Sequence, residues 1–237
     1  MTPYKRVMLK ISGEAMSKEG KGQGIHQPTL YEVARSIAAV AKQGMQVVVV
    51  TGGGNIWRYR DTTGVGIERT ASDMMGMLAT VMNAVALQTA LEHHGVDTRI
   101  LSAVQVPQIA EPYIRRRAIR HLEKGRVVLC AGGTGNPFFT TDSAAALRAL
   151  ELGCDCLLKA TNVDGIYDKD PNEHKDAQLL KTLTYRDALE QHLNVMDQAA
   201  FSLCQDQNLP IRVFNFSDRS NLLKAAMGED IGTVVGA

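Results

Sequence analysis

The chain has 237 residues, 45% of them hydrophobic, enough for a substantial buried core in one large domain or two small ones. Lysine and arginine number 26 against 25 acids, a formal net charge of +1. That balance excludes a bulk polyanion such as nucleic acid as the expected partner, while leaving room for a small anion in a local basic pocket. Four cysteines are too few for a disulfide framework, and Cys154-Asp155-Cys156 lacks zinc spacing, so these thiols read as small hydrophobes.

Taken in chain order, the first strand-like run is Arg6–Ile11. No secretory apolar region precedes it, so a cytoplasmic location is expected. Lys10 lies inside this run beside Ser12-Gly13-Glu14. A charged group is seldom placed in a central strand unless partnered. At the strand's end, a lysine reaches a transferring phosphoryl group while Gly13 lets the backbone approach it. A helical pattern over Pro28–Gln43 leads to a second strand, Gln46–Thr51, and the turn Gly52-Gly53-Gly54-Asn55. With Arg58 close behind, this turn offers a backbone cradle and a fork-shaped cation for phosphate.

The helical pattern Ser72–His93 opens at Asp73, which suits a cap or an acceptor for a ribose hydroxyl. Its apolar residues Met74, Leu78, Val81 and Val85, widened by Met75 and Met82, suit core packing or an adaptable subunit interface. Between Met74 and Leu91 the apolar sequence is interrupted by Gly76, Thr80, Asn83, Gln88 and Thr89, and no uninterrupted stretch reaches bilayer length. His93 and His94 fall where the helix terminus is negative. A strand at Thr98–Leu101 and a helix at Ile114–Glu123 follow. The helix carries Arg115, Arg116, Arg117 and Arg120 as a solvated basic face.

The next strand, Arg126–Ala131, runs into Gly133-Thr134-Gly135-Asn136-Pro137-Phe138-Phe139-Thr140-Thr141-Asp142 and then an alanine-rich helix, Ser143–Leu152. Glycines, small hydroxyls and an acid between a strand and a helix are the parts of a phosphate site, because backbone N–H groups and the helix start both face the anion. No G-x-x-x-x-G-K-[ST] occurs, so this is not the common P-loop. The strand Cys156–Lys159 repeats the lysine-at-the-end arrangement before Ala160-Thr161-Asn162. Helices at Tyr185–Glu190 and Val195–Gln207 and a strand at Ile211–Phe214 complete the pattern, with Asp155, Asp164, Asp168, Asp170 and Asp197 supplying acids to the later loops.

Strands apolar on both faces and separated by helices predict an α/β fold. The expected form is a three-layer αβα sandwich with a mostly parallel central sheet, as one domain over residues 1–237. Loops at the carboxyl ends of such strands share one rim, so the three glycine turns are expected to converge on a ligand.

These residues resemble the bacterial uridylate kinases (UMP kinases) of the amino acid kinase superfamily. The likeness spans nearly the whole chain. It is carried by Lys10–Glu14, Gly52–Asn55, Asp73–Thr80, the Gly135–Asp142 run, Val163–Tyr167, Val195-Met196-Asp197 and Pro210–Phe214. The resemblance implies transfer of the γ-phosphoryl of ATP to UMP with Mg²⁺, giving UDP for pyrimidine nucleotide synthesis, in a homohexamer that engages neither nucleic acid nor membrane. It places Lys10, Ile11, Ser12 and Gly13 at the ATP phosphates with Gly54 and Arg58 nearby. It puts Thr161, Asn162, Tyr167 and Asp170 on the ATP base and ribose side. UMP is assigned to Gly53, Asp73 and the run Thr134, Gly135, Asn136, Pro137, Phe138, Phe139, Thr140 and Thr141. Lys10, Lys159, Asp142 and Asp197 are the expected catalytic group, with no direct protein ligand to the metal, since Mg²⁺ is held mainly by nucleotide phosphates.

Some members of the family are activated by GTP through arginines on three segments. Arg99 and Arg126 match two of these, but Gln88 stands at the third, which removes a bidentate phosphate fork. The loop 18–23 suits a mobile or regulatory segment. Two other readings share these features: a carboxylate or carbamate kinase on the same fold, and a nucleotide-binding assembly without catalysis.

Overall fold

A computed structural model describes residues 4–18, 23–59, 66–171, 173–193 and 195–236. Most of the loop 18–23 therefore lies outside the described residues. The strands are β1 (Arg6–Ile11), β2 (Gln46–Thr51), β3 (Thr98–Ser102), β4 (Glu111–Pro112), β5 (Val127–Ala131), β6 (Cys156–Thr161), β7 (Ile166–Tyr167), β8 (Leu179–Leu180), β9 (Thr182–Thr184), β10 (Ile211–Asn215) and β11 (Thr233–Gly236). The helices are α1 (Gln27–Ala41), α2 (Arg69–His93), α3 (Arg115–Glu123), α4 (Thr141–Leu152), α5 (Tyr185–Glu190), α6 (Gln198–Asp206) and α7 (Asn221–Ala226).

Among the described residues, nine strands form one sheet in the order β4-β3-β5-β2-β1-β6-β10-β11-β9. Neighbours are parallel except β10 and β11, while β7 and β8 pair apart as a small antiparallel ribbon. The sheet is buried on both faces, which is why its strands read as continuous apolar runs. Alternate residues divide between two cores. Val7, Leu9, Val47, Val49, Leu129 and Leu158 pack towards the layer containing α1, α2 and α7. Met8, Val48, Val50, Val128, Leu157 and Val213 pack towards the layer containing α3, α4, α5 and α6.

All six sequence-predicted strands and all six predicted helices are present, with ends shifted by up to three residues. The short strands β4, β7, β8, β9 and β11 and the helix α7 were not foreseen. Each has two to six residues, too few to display a period of their own. The helix expected from Val195 begins later because Asp197 is its N-cap, accepting from Ala200 N at 2.9 Å.

The 25-residue α2 is long and apolar enough to cross a bilayer by length and composition, and half of that stretch is buried in the protein. Met77, Val81, Ala84, Leu87 and Leu91 face inward, whereas Met74, Met75, Leu78, Met82 and Val85 are exposed. The methionine stripe thus divides between a core face and an outward apolar face. The basic face of α3 is largely paired: Arg115 Nε donates to the carbonyl of Glu151, and Arg117 meets Glu111 at 3.4 Å. All four cysteines are free and buried, and burial pushes the Cys130, Cys156 and Cys204 thiols up to about 12.

Candidate active site

Lys10 and Lys159 stand opposite each other in the parallel register of β1 and β6. Strand alternation sets both on the face of Met8 and Leu157, towards α4. There they meet Asp142, in the first turn of α4. Lys10 Nζ lies 2.7 Å from its Oδ1 as an ion pair without hydrogen-bond geometry, and Lys159 Nζ donates to Oδ2 at 2.9 Å. Lys159 also donates to the carbonyl of Val195 at 2.6 Å. Burial alone would raise the Asp142 carboxyl, but the charges of Lys10 and Lys159 overcome it and hold the group below the usual carboxylate range. Lys159 moves down from the usual ammonium range, because burial and the repulsion of Lys10 outweigh its half share of one carboxylate. Two ammoniums against one carboxylate leave an excess positive charge at the strand ends.

The start of α4 is fixed by two interlocking caps. Thr140 Oγ1 accepts from Asp142 N at 3.0 Å and Ser143 N at 3.4 Å. Asp197 accepts from the hydroxyls of Thr140 and of Ser143, the latter at 3.0 Å, besides capping α6. Asp197 was expected to serve positioning or charge stabilisation, and these hydrogen bonds tie α6 to the start of α4, with Ser143 next to Asp142.

Beside this group lies a cavity of about 170 Å³, lined by the turn after β2, the first half of α2 and the loop between β5 and α4. Gly53, Asp73, Thr134, Asn136, Phe139, Thr140 and Thr141, all predicted acceptor residues, line it. Gly135, Pro137 and Phe138 belong to the same loop without lining the cavity. Phe138 takes φ = 69°, a left-handed conformation costly for an aromatic residue, and its N–H donates to Asp73 Oδ2 at 2.8 Å.

Trp57, Tyr59, Ser72, Gly76, Met77 and Thr80 also line the cavity and were not singled out as site residues, whereas Gly133 belongs to the glycine run already read as a phosphate site. The signal was available, since Asp73, Gly76, Met77 and Thr80 follow the three- and four-residue spacing of one helix face. Gly53 is needed there: a Cβ on it would sit 2.7 Å from the carbonyl of Gly76. The loops are pinned to α2 by buried polar groups. Gly132 N donates to Thr80 Oγ1 at 2.8 Å, and Asn83 donates to the carbonyl of Gly52 at 2.7 Å while exchanging hydrogen bonds with Asn55.

On the other flank, Ser12 and Gly13 open the turn after β1, which packs backbone to backbone against Gly52. A Cβ on Gly13 would fall 2.7 Å from the Gly52 carbonyl. Ile11 is fully buried, so it can bring only its main chain to a ligand. Arg58 Nε donates to the Gly54 carbonyl at 2.7 Å and its guanidinium is ion-paired with Glu14. Thr161 closes the end of β6, its hydroxyl bonded to the carbonyl of Val163 at 2.8 Å. Asn162 and Asp170 are exposed and Tyr167 half-buried, all three beyond β6 and away from the cavity lining. Arg99 is on β3 and Arg126 immediately precedes the adjacent β5, and the two engage different groups. Arg99 and Gln88 both donate to the carbonyl of Thr98, whereas Arg126 meets His121 Nδ1 at 3.1 Å.

Comparison with known proteins gives a consistent result. The model of the amino acid kinase family matches residues 5–215. The chloroplastic uridylate kinase PUMPKIN of Arabidopsis thaliana is 51% identical over 234 residues, which are 98% of this chain and 69% of that protein. The crystal structure of UMP kinase from Bacillus anthracis superposes with a TM-score of 0.95 at 38% identity, covering 99% of this chain and 96% of the other. That of UMP kinase from Ureaplasma parvum gives 0.93 at 34% identity, covering 98% and 99%.

Proposed function

The chain belongs to the amino acid kinase family, and on that premise we propose that it is an ATP-dependent UMP kinase, forming UDP and ADP. The observation that carries the chemistry is the register-matched pair Lys10 and Lys159, bridged by Asp142 at the sheet's rim beside a cavity built by the glycine turns. Phosphoryl transfer asks little covalent work of a protein; it asks for positioning and for cations where charge spreads over the moving group. Lys10 fits this role, because among the described residues its ammonium is engaged by Asp142 and by no other protein group, which leaves N–H groups for a ligand. Asp142 orients both lysines and keeps them charged at close range. Lys159, tied to Asp142 and Val195, sets the carboxylate, while Asp197 positions the first turn of α4.

The cavity side is the acceptor half in this reading. Gly53, Asp73 and residues 134–141 hold UMP, with N–H groups of the loop and of the α4 start facing its phosphate. The donor half is Lys10 and the main chain of Ile11, Ser12 and Gly13, with Thr161, Asn162, Tyr167 and Asp170 along the nucleoside; Gly54, expected at the ATP phosphates, lines the acceptor cavity and so stands at the boundary of the two halves. Arg58 joins the donor phosphates by exchanging its Glu14 partner for them. Mg²⁺ fits as a passenger on ATP: both Asp142 oxygens face lysines, and no cluster of three His, Cys, Asp or Glu is found among the described residues. Bound with ATP, it would supply positive charge that offsets the phosphates, held through the nucleotide that Lys10, Ser12 and Gly13 would position.

The same reading includes one domain over residues 1–237, a cytoplasmic place in pyrimidine nucleotide synthesis, and self-association into a hexamer. The exposed apolar face of α2 supports association. With Gln88 in place of a third arginine, GTP is expected to activate weakly or not at all. A coupled assay with ATP and Mg²⁺ and with UMP, CMP, dCMP or carbamate as acceptor tests the assignment. Turnover of UMP well above the rest is expected, and preference for carbamate would move the chain to the carboxylate and carbamate branch.

A further inference from the structure

Asp73 is held by groups that the phosphoryl-transfer geometry does not use. Arg69, one turn earlier on α2, places its Nε between both carboxylate oxygens, 2.9 Å from Oδ1 and 3.0 Å from Oδ2. Its guanidinium lies over the ring of Tyr59, 4.7 Å from the centroid, and Tyr59 itself lines the cavity. From the opposite wall, the N–H of Phe138 donates to Oδ2 in the left-handed conformation already described.

An ionised carboxylate has about four acceptor positions. Oδ2 is engaged twice and Oδ1 once, so one acceptor position on Oδ1 stays open beside the cavity. A carboxylate near the start of a surface helix would ordinarily rotate among solvated rotamers. Here an arginine stacked on an aromatic ring and a main-chain amide across the cavity hold its plane. The side chain of Asp73 is only 14% exposed, against 45% for Arg69, so the fixed group faces the site and the fixing group faces outward.

We propose that Arg69 is a positioning residue for acceptor selection: it holds Asp73 so that Oδ1 receives a sugar hydroxyl, making the site select a ribonucleotide over its 2′-deoxy counterpart. This rests on the UMP kinase reading. It adds a residue outside the nucleotide-contacting set, and a property, sugar discrimination, that Arg69 sets through Asp73. A site built to bond a hydroxyl rejects the analogue lacking it, because its own polar group is left unpaired.

The test is initial-rate kinetics with UMP and dUMP, each at varied ATP, on the wild type, Arg69→Met and Arg69→Lys. For Arg69→Met, KM for UMP is expected to rise about 10-fold, equivalent to about 1.4 kcal/mol, with kcat and the KM for ATP within about twofold. The ratio of kcat/KM for UMP over dUMP is expected to fall by a similar factor. Arg69→Lys keeps the charge but not the flat, shared Nε–H, and is expected to fall between the two. Equal losses for UMP and dUMP, or an unchanged ratio in both variants, would overturn the proposal. Should Arg69→Met fail to fold, an unchanged ratio in Arg69→Lys overturns it equally. Wild-type protein that does not phosphorylate UMP would sink the underlying reading instead, so the two failures are distinguishable.

Discussion

A lysine ammonium buried beside another ammonium is at odds with its surroundings unless an anion joins them, and Asp142 is that anion for Lys10 and Lys159. Three consequences belong to these side chains. Lys10→Ala removes the cation aimed at the transferred group and is expected to lower kcat by roughly 10²–10³, with folding retained, as checked by circular dichroism and single-turnover kinetics. The second concerns pH. Because Lys159 is held below its usual range, the folded protein gives up that proton before the unfolded chain does, and activity should fall at alkaline pH as the ammonium is lost. In Asp142→Asn the compensating charge is gone, so the alkaline limb of the kcat profile should move to still lower pH; a limb that stays put would show that Lys159 is not the titrating group. Asp142, held below the usual carboxylate range, contributes stability above an unfolded pKa of about 3.8, and that contribution is lost as pH falls through the folded value. Lys10, Lys159 and Asp142 were legible in sequence because a charge inside an apolar strand demands a partner. The double duty of Asp197, capping α6 while holding Thr140 and Ser143, was not legible, since a cap shows in sequence only as an acid before a helix. Arg69 gave no signal, as an arginine before a helix reads as solvated surface.

The elements are joined by contacts that leave no room for a methyl group or an unpaired amide. Gly53→Ala drives a Cβ towards the Gly76 carbonyl and Ala79, and must separate the β2 turn from α2. Such overpacking typically costs about 1–3 kcal/mol. A raised KM for UMP and a lower Tm are expected, and a variant with wild-type KM would remove the turn from the acceptor site. Asn83→Ala strands the buried Asn55 amide and the Gly52 carbonyl, at a cost of about 1–3 kcal/mol by denaturant unfolding. At this scale the sequence was informative wherever an element was long. The six main strands and α1 to α6 show their periods, and the glycine turns mark the sheet's rim. The two-residue strands β4, β7 and β8 depend on tertiary pairing alone. The N-terminal half of α2 was read as core packing or a subunit interface with only Asp73 assigned to the ligand, and its Asp73-Gly76-Thr80 face forms one wall of the cavity.

For the molecule as a whole, α2 links two surfaces. One side pins the glycine loops, and the other presents Met74, Leu78 and Met82, each about half exposed, to whatever lies outside. Met82→Glu puts a charge in the middle of that stripe and is expected to give a smaller species by light scattering; an unchanged mass would place the subunit contact elsewhere. The sheet order carries a different implication. On one side of β1 stand β2, β5, β3 and β4 in that spatial order, β5 being inserted between β2 and β3 after both, and on the other side stand β6, β10, β11 and β9. The paired lysines stand at the centre of that sheet, on the neighbouring strands β1 and β6. In the proposed reading each nucleotide borrows from both stretches of the chain, ATP from residues 10–13, 54, 58 and 161–170 and UMP from residues 53, 73 and 134–141, so a chimera that exchanged either half with a relative is expected to disturb both sites at once.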